Sequence, residues 1–224
     1  MCGRYSLFAD FRIIEERFGE ATFDEEDYEE SYNIAPSQMV LSVINDGKKN
    51  RLGYLKWGLV PPWAKDSKIG FKMINARAET VHEKPSFREA FKKRRCLIVA
   101  DSFYEWKRTE ERKIPMRIKM KNDELFAMAG LWESWKDDKG DLVHTCTILT
   151  TEPNDLMSSI HDRMPVILKQ EDEQKWLNPS LKHMDELRPL LIPLDDGLLE
   201  AYEVSDKVNS PKNNVPELIE KVSG

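Results

Sequence analysis

The sequence predicts an α+β protein in which a strand-rich antiparallel core carries helices on its outside. Short apolar runs separated by clusters of Gly, Asp, Asn and Lys recur along most of the chain, as is typical of strands joined by hairpins. Segments with helical periodicity are short and lie beside or between those runs. A chain of 224 residues can bury a full core, and it contains no internal repeat and no linker. We therefore expect a single domain over residues 1–224.

The first helix is predicted by its apolar spacing and its end signals. Residues 10–19 have the sequence DFRIIEERFG, in which Phe11, Ile14 and Phe18 share one helical face. Asp10 is a suitable N-cap, and Gly19 ends the pattern. The acidic stretch that follows is predicted to be a loop or an exposed helix.

The remaining elements follow in order. Residues 39–60 predict two strands around an Asp46–Gly47 turn. Residues 76–84 (ARAETVHEK) and 85–94 (PSFREAFKKR) predict two helices, the second starting at Ser86. The later segments are a strand that runs into the aromatic cluster FYEW, three further strands within 114–152, a short helix capped by Asn154, and two helical stretches within 170–191.

Composition and charge exclude several classes of protein. No apolar run approaches the roughly 20 residues needed to span a bilayer, and Arg4 and Asp10 interrupt any N-terminal signal region. Cys2, Cys96 and Cys146 lie far apart, which indicates reduced thiols in a cytoplasmic protein, and the four His show no metal-ligand spacing. We expect no metal and no cofactor.

The net charge of −6 is unevenly distributed. Residues 15–30 carry nine acids and one Arg, whereas residues 88–121 carry twelve Lys or Arg against five acids. The basic segment is either a solvated face or a groove for a polyanion, because screening confines charge effects to about 10 Å.

The opening sequence MCGRYS raises a chemical question. If Met1 is removed, Cys2 carries a free α-amine and a thiol on adjacent carbons, a pair that no internal Cys offers. The alternative is a frayed terminus that any small residue would fit.

In FYEW, Glu105 is surrounded by aromatic residues, so burial would raise its pKa and make it a proton shuttle. The alternative for Glu105 is an edge-strand position with a Lys as its partner.

Three further motifs have both a chemical and an ordinary interpretation. In INARAE, Asn75 could orient a sugar oxygen and Arg77 could bind a phosphate, or the two could be a cap and a surface Arg. In SIHDRMP, His161 is either a general acid or base or a satisfied polar residue. In WGLVPPW, Trp57 and Trp63 suit either base stacking or the core.

Together these motifs resemble the SRAP family of abasic-site processing proteins over nearly the whole chain. Val99 and Ser102 depart from residues usual in the family, and both flank the strand that carries Glu105. The blocks that carry the resemblance, in the family's order, are MCGRY, YNIAPSQ, WGLVPPWAKD, INARAET, RRCLIVADSFYEW, AMAGLWESW, SIHDRMPVIL and VNSPKNNVPEL.

The resemblance implies a barrel-like core and a role in the DNA damage (SOS) response. It implies that Cys2, after loss of Met1, links covalently to the aldehyde of an abasic site in single-stranded DNA, a crosslinking or lyase-type activity. Whether Met1 leaves by peptidase-like self-cleavage or by an aminopeptidase stays open. The partner is abasic single-stranded DNA, bound by a monomer without a membrane or a metal, in the cytoplasm or at a bacterial nucleoid. The implied site consists of Cys2 as nucleophile, Asn75, Glu105 and His161 as supporting catalytic residues, and Arg4, Pro36, Trp63, Arg77 and Arg163 as DNA-facing residues.

The reaction explains the residue types. An amine attacks the aldehyde to form an imine, and a thiol on the next carbon closes a thiazolidine ring, a step that gains from proximity. Loss of water needs an acid, which a protonated Glu105 supplies, while His161 shuttles a second proton.

Two alternatives come from other classes. An N-terminal-nucleophile amidohydrolase or autoprocessing cysteine peptidase would also use Cys2, but glutamine amidotransferases of that type carry an Asn-Gly pair, which this chain lacks. A non-catalytic single-strand binding module would make Cys2 incidental.

Overall fold

The computed structural model describes residues 2–222, which form thirteen strands, five α-helices and several 3-10 turns. The strands are β1 Tyr5–Leu7, β2 Ser31–Ile34, β3 Met39–Asn45, β4 Asn50–Trp57, β5 Asn75–Arg77, β6 Arg95–Ala100, β7 Ser102–Arg108, β8 Lys113–Met120, β9 Phe126–Lys136, β10 Leu142–Thr151, β11 Met164–Pro165, β12 Ile167–Leu168 and β13 Leu199–Glu203. The helices are α1 Phe11–Phe18, α2 Arg88–Lys93, α3 Asp155–Ser158, α4 Gln170–Leu177 and α5 Met184–Leu187.

Five strands of the larger sheet close into a barrel. Their order is β10-β4-β3-β6-β9, and β9 pairs with β10 again, so the ring has no free edge among these strands. Strand β10 also holds β4 and β5 in parallel, an exception to the otherwise antiparallel pairing. The second sheet, in the order β13-β8-β7-β1-β2, is antiparallel throughout. The predicted α+β class with a barrel-like core is confirmed.

One apolar core extends through both sheets. It includes Leu97 of β6, Phe103 of β7 and Met128 of β9, all with at most 1% of their surface exposed, and it reaches Cys2 at the start of the chain. Helix α4 covers the barrel from outside, where the buried Trp176 donates its indole N–H to the carbonyl of Cys96 at 2.9 Å.

A buried polar cluster lies where the chain passes from the barrel into the second sheet. Asp101, between β6 and β7, accepts a hydrogen bond from the Ser6 hydroxyl at 2.5 Å and from the Phe8 N–H at 2.6 Å. Arg117 of β8 donates to the Ser102 hydroxyl at 2.8 Å. Burial raises the pKa of Asp101 to about 6 in spite of these donors. The cluster therefore holds β1 against the junction of the two sheets.

The predictions for α1 and the first hairpin are confirmed. The Asp10 side chain accepts from the N–H of Arg12, Gly19 ends the helix at φ 106°, and the three predicted apolar residues are buried. Strands β3 and β4 enclose the predicted turn, in which Gly47 has φ 90°. The later strands, the Asn154 cap and the two helical stretches after residue 170 are also found.

The helix predicted over residues 76–84 is wrong. Residues 75–77 instead form β5, paired in parallel with β10, and the rest is a series of turns. Local composition favours a helix, but the backbone groups of this segment are satisfied by β10: the N–H of Ala78 donates to the carbonyl of Thr150 at 2.9 Å. Helix α2 starts at Arg88 and not at Ser86.

The loop that carries WGLVPPW is fixed by a contact between two glycines. Gly58 has φ 126°, and a Cβ added there would lie 2.9 Å from the carbonyl oxygen of Gly70. A Cβ on Gly70 would meet the carbonyl of Gly58 at 2.7 Å. This close approach brings together the two ends of the segment 58–70, which contains Trp63.

Candidate active site

Cys2 and Asn75 are joined by a hydrogen bond that depends on the parallel pairing of β5 with β10. This pairing places Asn75 opposite Ile148, and the Asn75 Nδ2 donates to the carbonyl oxygen of Cys2 at 2.8 Å. The Oδ1 of Asn75 is buried and has no hydrogen-bond partner among residues 2–222. An acceptor in this state is available to a hydroxyl of a bound molecule.

The Cys2 side chain is fully buried. Burial raises the pKa of its thiol far above the ordinary value, and the nearby Glu105 carboxylate raises it further. The sulfur is therefore a neutral thiol at physiological pH, so a reaction at this residue has to begin without a thiolate.

Glu105 lies on β7, next to Cys2, with 2% of its surface exposed. Burial raises the pKa of its carboxyl, although the positive charge that His161 can carry opposes the shift. The His161 Nε2 lies 3.9 Å from the Glu105 Oε2. The pair combines a carboxyl whose pKa is raised by burial with an imidazole that can accept or donate a proton.

The His161 ring is oriented by the chain immediately after α3. Its Nδ1 accepts a hydrogen bond from the backbone N–H of Arg163 at 3.0 Å, which leaves the proton of the neutral ring on Nε2, facing Glu105. The Asp162 carboxylate also lies 2.9 Å from Nδ1. That contact needs a proton on Nδ1, so the two contacts belong to different protonation states.

A cavity of about 430 Å³ opens beside these groups. The cavity is large enough for a sugar ring, and polar groups from three parts of the chain line its wall. Its lining residues are Glu105, Trp106, Arg108, Lys113, His161 and Asn209.

The three arginines predicted to face DNA lie in different environments. Arg77 is exposed on β5, and no ion pair to it is found among residues 2–222. Arg163 donates to both carboxylate oxygens of Glu79 at 2.7 and 2.9 Å and to the Thr150 carbonyl at 2.6 Å. Arg4 is 9% exposed and donates to the Asn33 side chain at 2.8 Å. Of the three, Arg77 is the most accessible to a phosphate.

The other two predicted DNA-facing residues are accessible to different degrees. Pro36 is half-buried just after β2. Trp63 is 60% exposed in the loop fixed by the two glycines, and the carbonyl of the next residue, Ala64, accepts the indole N–H of Trp135 at 2.7 Å. Trp63 thus presents its ring on a supported loop, as base stacking requires. Trp57, in contrast, belongs to the core, with 1% exposed.

Several residues at the site were not foreseen from the sequence. Glu79 neutralises Arg163, and Asn209 accepts the indole N–H of Trp106 at 2.6 Å. Arg108 and Lys113 line the cavity although they come from an ordinary basic stretch. Only the local excess of basic residues in 88–121 pointed toward the last two.

No group of three or more His, Cys, Asp or Glu within residues 2–222 is arranged to hold a metal ion. In the same part of the chain, no helix is both long and apolar enough to cross a membrane.

Comparison with known proteins identifies a family model and relatives that cover most of this chain. Residues 1–211 match the family described as SOS response associated peptidase (SRAP). The chain is 60% identical to the abasic site processing protein YoqW of Bacillus subtilis, covering 98% of this chain and 99% of that protein. It is 32% identical to the abasic site processing protein HMCES of Rattus norvegicus, covering 88% of this chain and 66% of that protein. A crystal structure of a protein from Bacteroides thetaiotaomicron superposes with a TM-score of 0.90 at 30% identity, over 99% of this chain and all of that one.

A family match over more than nine-tenths of the chain, together with relatives that align across all four segments of the site, leaves one assignment: the chain belongs to the SRAP family.

Proposed function

We propose that this protein processes abasic sites in single-stranded DNA by forming a covalent thiazolidine link between Cys2 and the ring-opened deoxyribose. The observation that carries the proposal is the meeting of Cys2, Asn75, Glu105 and His161, which come from four distant segments, beside a cavity that Glu105 and His161 line. The names of the relatives, abasic site processing proteins, support the same substrate.

The reaction starts at the α-amine that Cys2 gains when Met1 is removed. Met1 lies outside the residues that the structure describes. An α-amine has a pKa near 8, so roughly a tenth of it is neutral at pH 7 without any tuning. The neutral amine adds to the aldehyde carbon of the opened sugar, and loss of water gives an imine. Glu105, whose pKa burial raises, donates the proton to the departing oxygen.

Ring closure uses the neutral thiol. The Cys2 sulfur adds to the imine carbon, and the thiol proton passes to the imine nitrogen, so no free thiolate is required. The sulfur and the imine nitrogen both belong to Cys2, so the attack on the attached carbon is intramolecular. The Asn75 Oδ1 accepts from a hydroxyl of the opened sugar, while its Nδ2 holds the Cys2 carbonyl in place.

The DNA strand is held by charge and stacking. Arg77 is exposed and contacts a phosphate, and Trp63 stacks on a base that a duplex would not expose. Arg163 keeps Glu79 as its partner and reaches a phosphate only if that carboxylate moves. Arg4 acts mainly on the position of the N-terminal segment, through Asn33. Action as a monomer in the cytoplasm stays a prediction. The route by which Met1 leaves stays open.

The test compares three proteins on a denaturing gel: processed protein with Cys2 first, protein that retains a residue ahead of Cys2, and processed Cys2→Ser. An amide nitrogen is not nucleophilic because its lone pair is delocalised. The processed protein should give a gel-stable adduct with abasic single-stranded DNA, and the extended protein should bind that DNA without an adduct. Processed Cys2→Ser should form an imine that borohydride traps.

Matched DNA occupancy is the control for this comparison. A robust adduct from protein with a verified extension would show that another residue is the nucleophile. Unchanged behaviour of Cys2→Ser, with stable adduct in the absence of borohydride, would remove the thiol from the mechanism.

A further inference from the structure

Two cations line the same cavity as Glu105 and His161 and have no carboxylate partner in the described part of the chain, residues 2–222. Arg108 and Lys113 lie at the ends of β7 and β8 and are exposed. Within residues 2–222, no Asp or Glu oxygen lies within 4.0 Å of either side chain's charged nitrogens, whereas Arg112 in the same hairpin contacts Glu203 at 2.7 Å.

The register of the hairpin sets these two charges against each other. Arg108 and Lys113 are directly opposite in the β7–β8 pairing. Directly opposite residues in an antiparallel pair have Cβ atoms about 5 Å apart, and like charges there are destabilising. An anion placed between the two side chains would remove that repulsion, and the cavity they line gives it room.

We propose that Arg108 and Lys113 form a phosphate subsite that holds the backbone of the DNA strand on one side of the abasic nucleotide. The proposal rests on the proposed function, because it takes the reacting sugar to lie at Glu105. Phosphodiesters are the anions nearest to that sugar, and they are contacted without regard to base sequence. Both cations come from the same hairpin end, so both act on the same flank of the strand.

The experiment measures binding of DNA that cannot react. The probes are two single strands that carry a tetrahydrofuran abasic analogue, which has no aldehyde, at the 5′ end in one and at the 3′ end in the other. Each probe therefore offers a single flank. The proteins are wild type, Arg108→Gln, Lys113→Gln and the double variant, and the readout is the slope of log affinity against log salt concentration.

For one of the two probes, each single substitution should reduce the salt slope by about 0.7, the value for one phosphate contact to a single strand. The double variant should reduce it by about 1.4, the value for two such contacts. For the other probe, the slopes should stay at the wild-type value. Lys107→Gln is the matched control, because it removes one charge from the same strand without touching the cavity lining.

Thermal unfolding without DNA separates a lost contact from a damaged fold. Lys113→Gln relieves the cross-strand repulsion, so its midpoint should equal or exceed that of wild type. Equal losses for both probes, an unchanged slope, or the same effect from Lys107→Gln would overturn the subsite. Adduct formation by wild-type protein with aldehyde-bearing DNA decides the proposed function separately, since binding of the analogue needs no chemistry.

Discussion

Among single residues, Asn75 contacts the N-terminal segment with one amide atom and leaves the other without a partner among residues 2–222. Its Nδ2 donates to the Cys2 carbonyl at 2.8 Å, and its Oδ1 is buried without a partner among residues 2–222. Asn75→Asp would set a carboxylate oxygen against that carbonyl. We expect the adduct rate at saturating DNA to fall roughly ten- to a hundredfold, since an unsatisfied buried polar group costs about 1–3 kcal/mol. Asn75→Ala, which removes the donor without adding repulsion, should lose less; an Asp variant as fast as wild type would contradict the assigned role.

Glu105 predicts a specific change in the pH profile of adduct formation. The proposed reaction would need a neutral amine, which is favoured at high pH, and a protonated Glu105, which is favoured at low pH although burial raises its pKa. The profile should therefore rise, level off and fall again at high pH. Glu105→Gln should be slower but should lose the falling limb, because only the amine still titrates. Rates measured from pH 5 to pH 10 at matched occupancy test this, and a Gln variant that keeps the falling limb would assign that limb to another group.

At the scale of elements, the Gly58–Gly70 contact determines where the Trp63 loop lies. Gly58 has φ 126°, and the Cβ that Gly58→Ala adds would lie 2.9 Å from the carbonyl oxygen of Gly70. Either the loop or the 3-10 turn of Ser67–Lys72 therefore has to move. We expect a loss of about 1–3 kcal/mol in the free energy of unfolding and weaker binding of single-stranded DNA. Urea unfolding and DNA titration measure the two effects. Gly140→Ala is the control, since its φ of 87° is also positive but nothing lies within 4 Å; equal losses in both variants would show that the close contact is unimportant.

Elements with local signals were predictable, and elements built by distant pairing were not. Helix α1 is determined by Asp10, Gly19 and an apolar stripe that lie within ten consecutive residues, and the structure has it as predicted. Strand β5 is determined by β10, whose paired residues lie 73 positions later, and the Ala- and Glu-containing segment 76–84 favours a helix in isolation. Strand β13 was missed for the same reason, because only its pairing with β8 distinguishes it.

The candidate site follows the same division. The sequence indicated the chemistry of Cys2 and the environment of Glu105, because each depends on immediate neighbours. Their meeting with Asn75 and His161 was expected only through the family resemblance, since no spacing connects four segments so far apart. The ion pair of Arg163 with Glu79 had no signal in either sequence segment.

For the molecule as a whole, the buried Asp101 makes stability depend on pH. Its pKa is raised from 3.8 to about 6 in the folded protein. Between those values the native state holds a proton that the unfolded chain has lost, so the free energy of unfolding falls as pH rises through that window and is constant above it. The span of about two pKa units corresponds to about 3 kcal/mol.

Asp101→Asn tests this dependence because the amide does not titrate. Relative to wild type, the variant should gain about 2.4 kcal/mol between pH 4 and pH 7, whatever its absolute stability. Urea unfolding of both proteins across this pH range measures the difference in their free energies of unfolding. Contributions from other titrating groups, such as Glu173, are common to both proteins and cancel in that difference. A difference between Asp101→Asn and wild type that is constant with pH would contradict the prediction.

The parallel pairing of β5 with β10 also sets the moment in folding at which the candidate site is assembled. The hydrogen bond between Asn75 and Cys2 spans 73 positions of sequence, and it needs β5 to be seated on a strand that is made later in the chain. Contacts of this range carry a loop-closure cost and form slowly. Helix α1 and the β3–β4 hairpin can therefore form while the N-terminal cysteine still lacks its partners. Under the proposed mechanism, an unfinished chain would have only the untuned amine and thiol, and the full rate of adduct formation would require the completed fold.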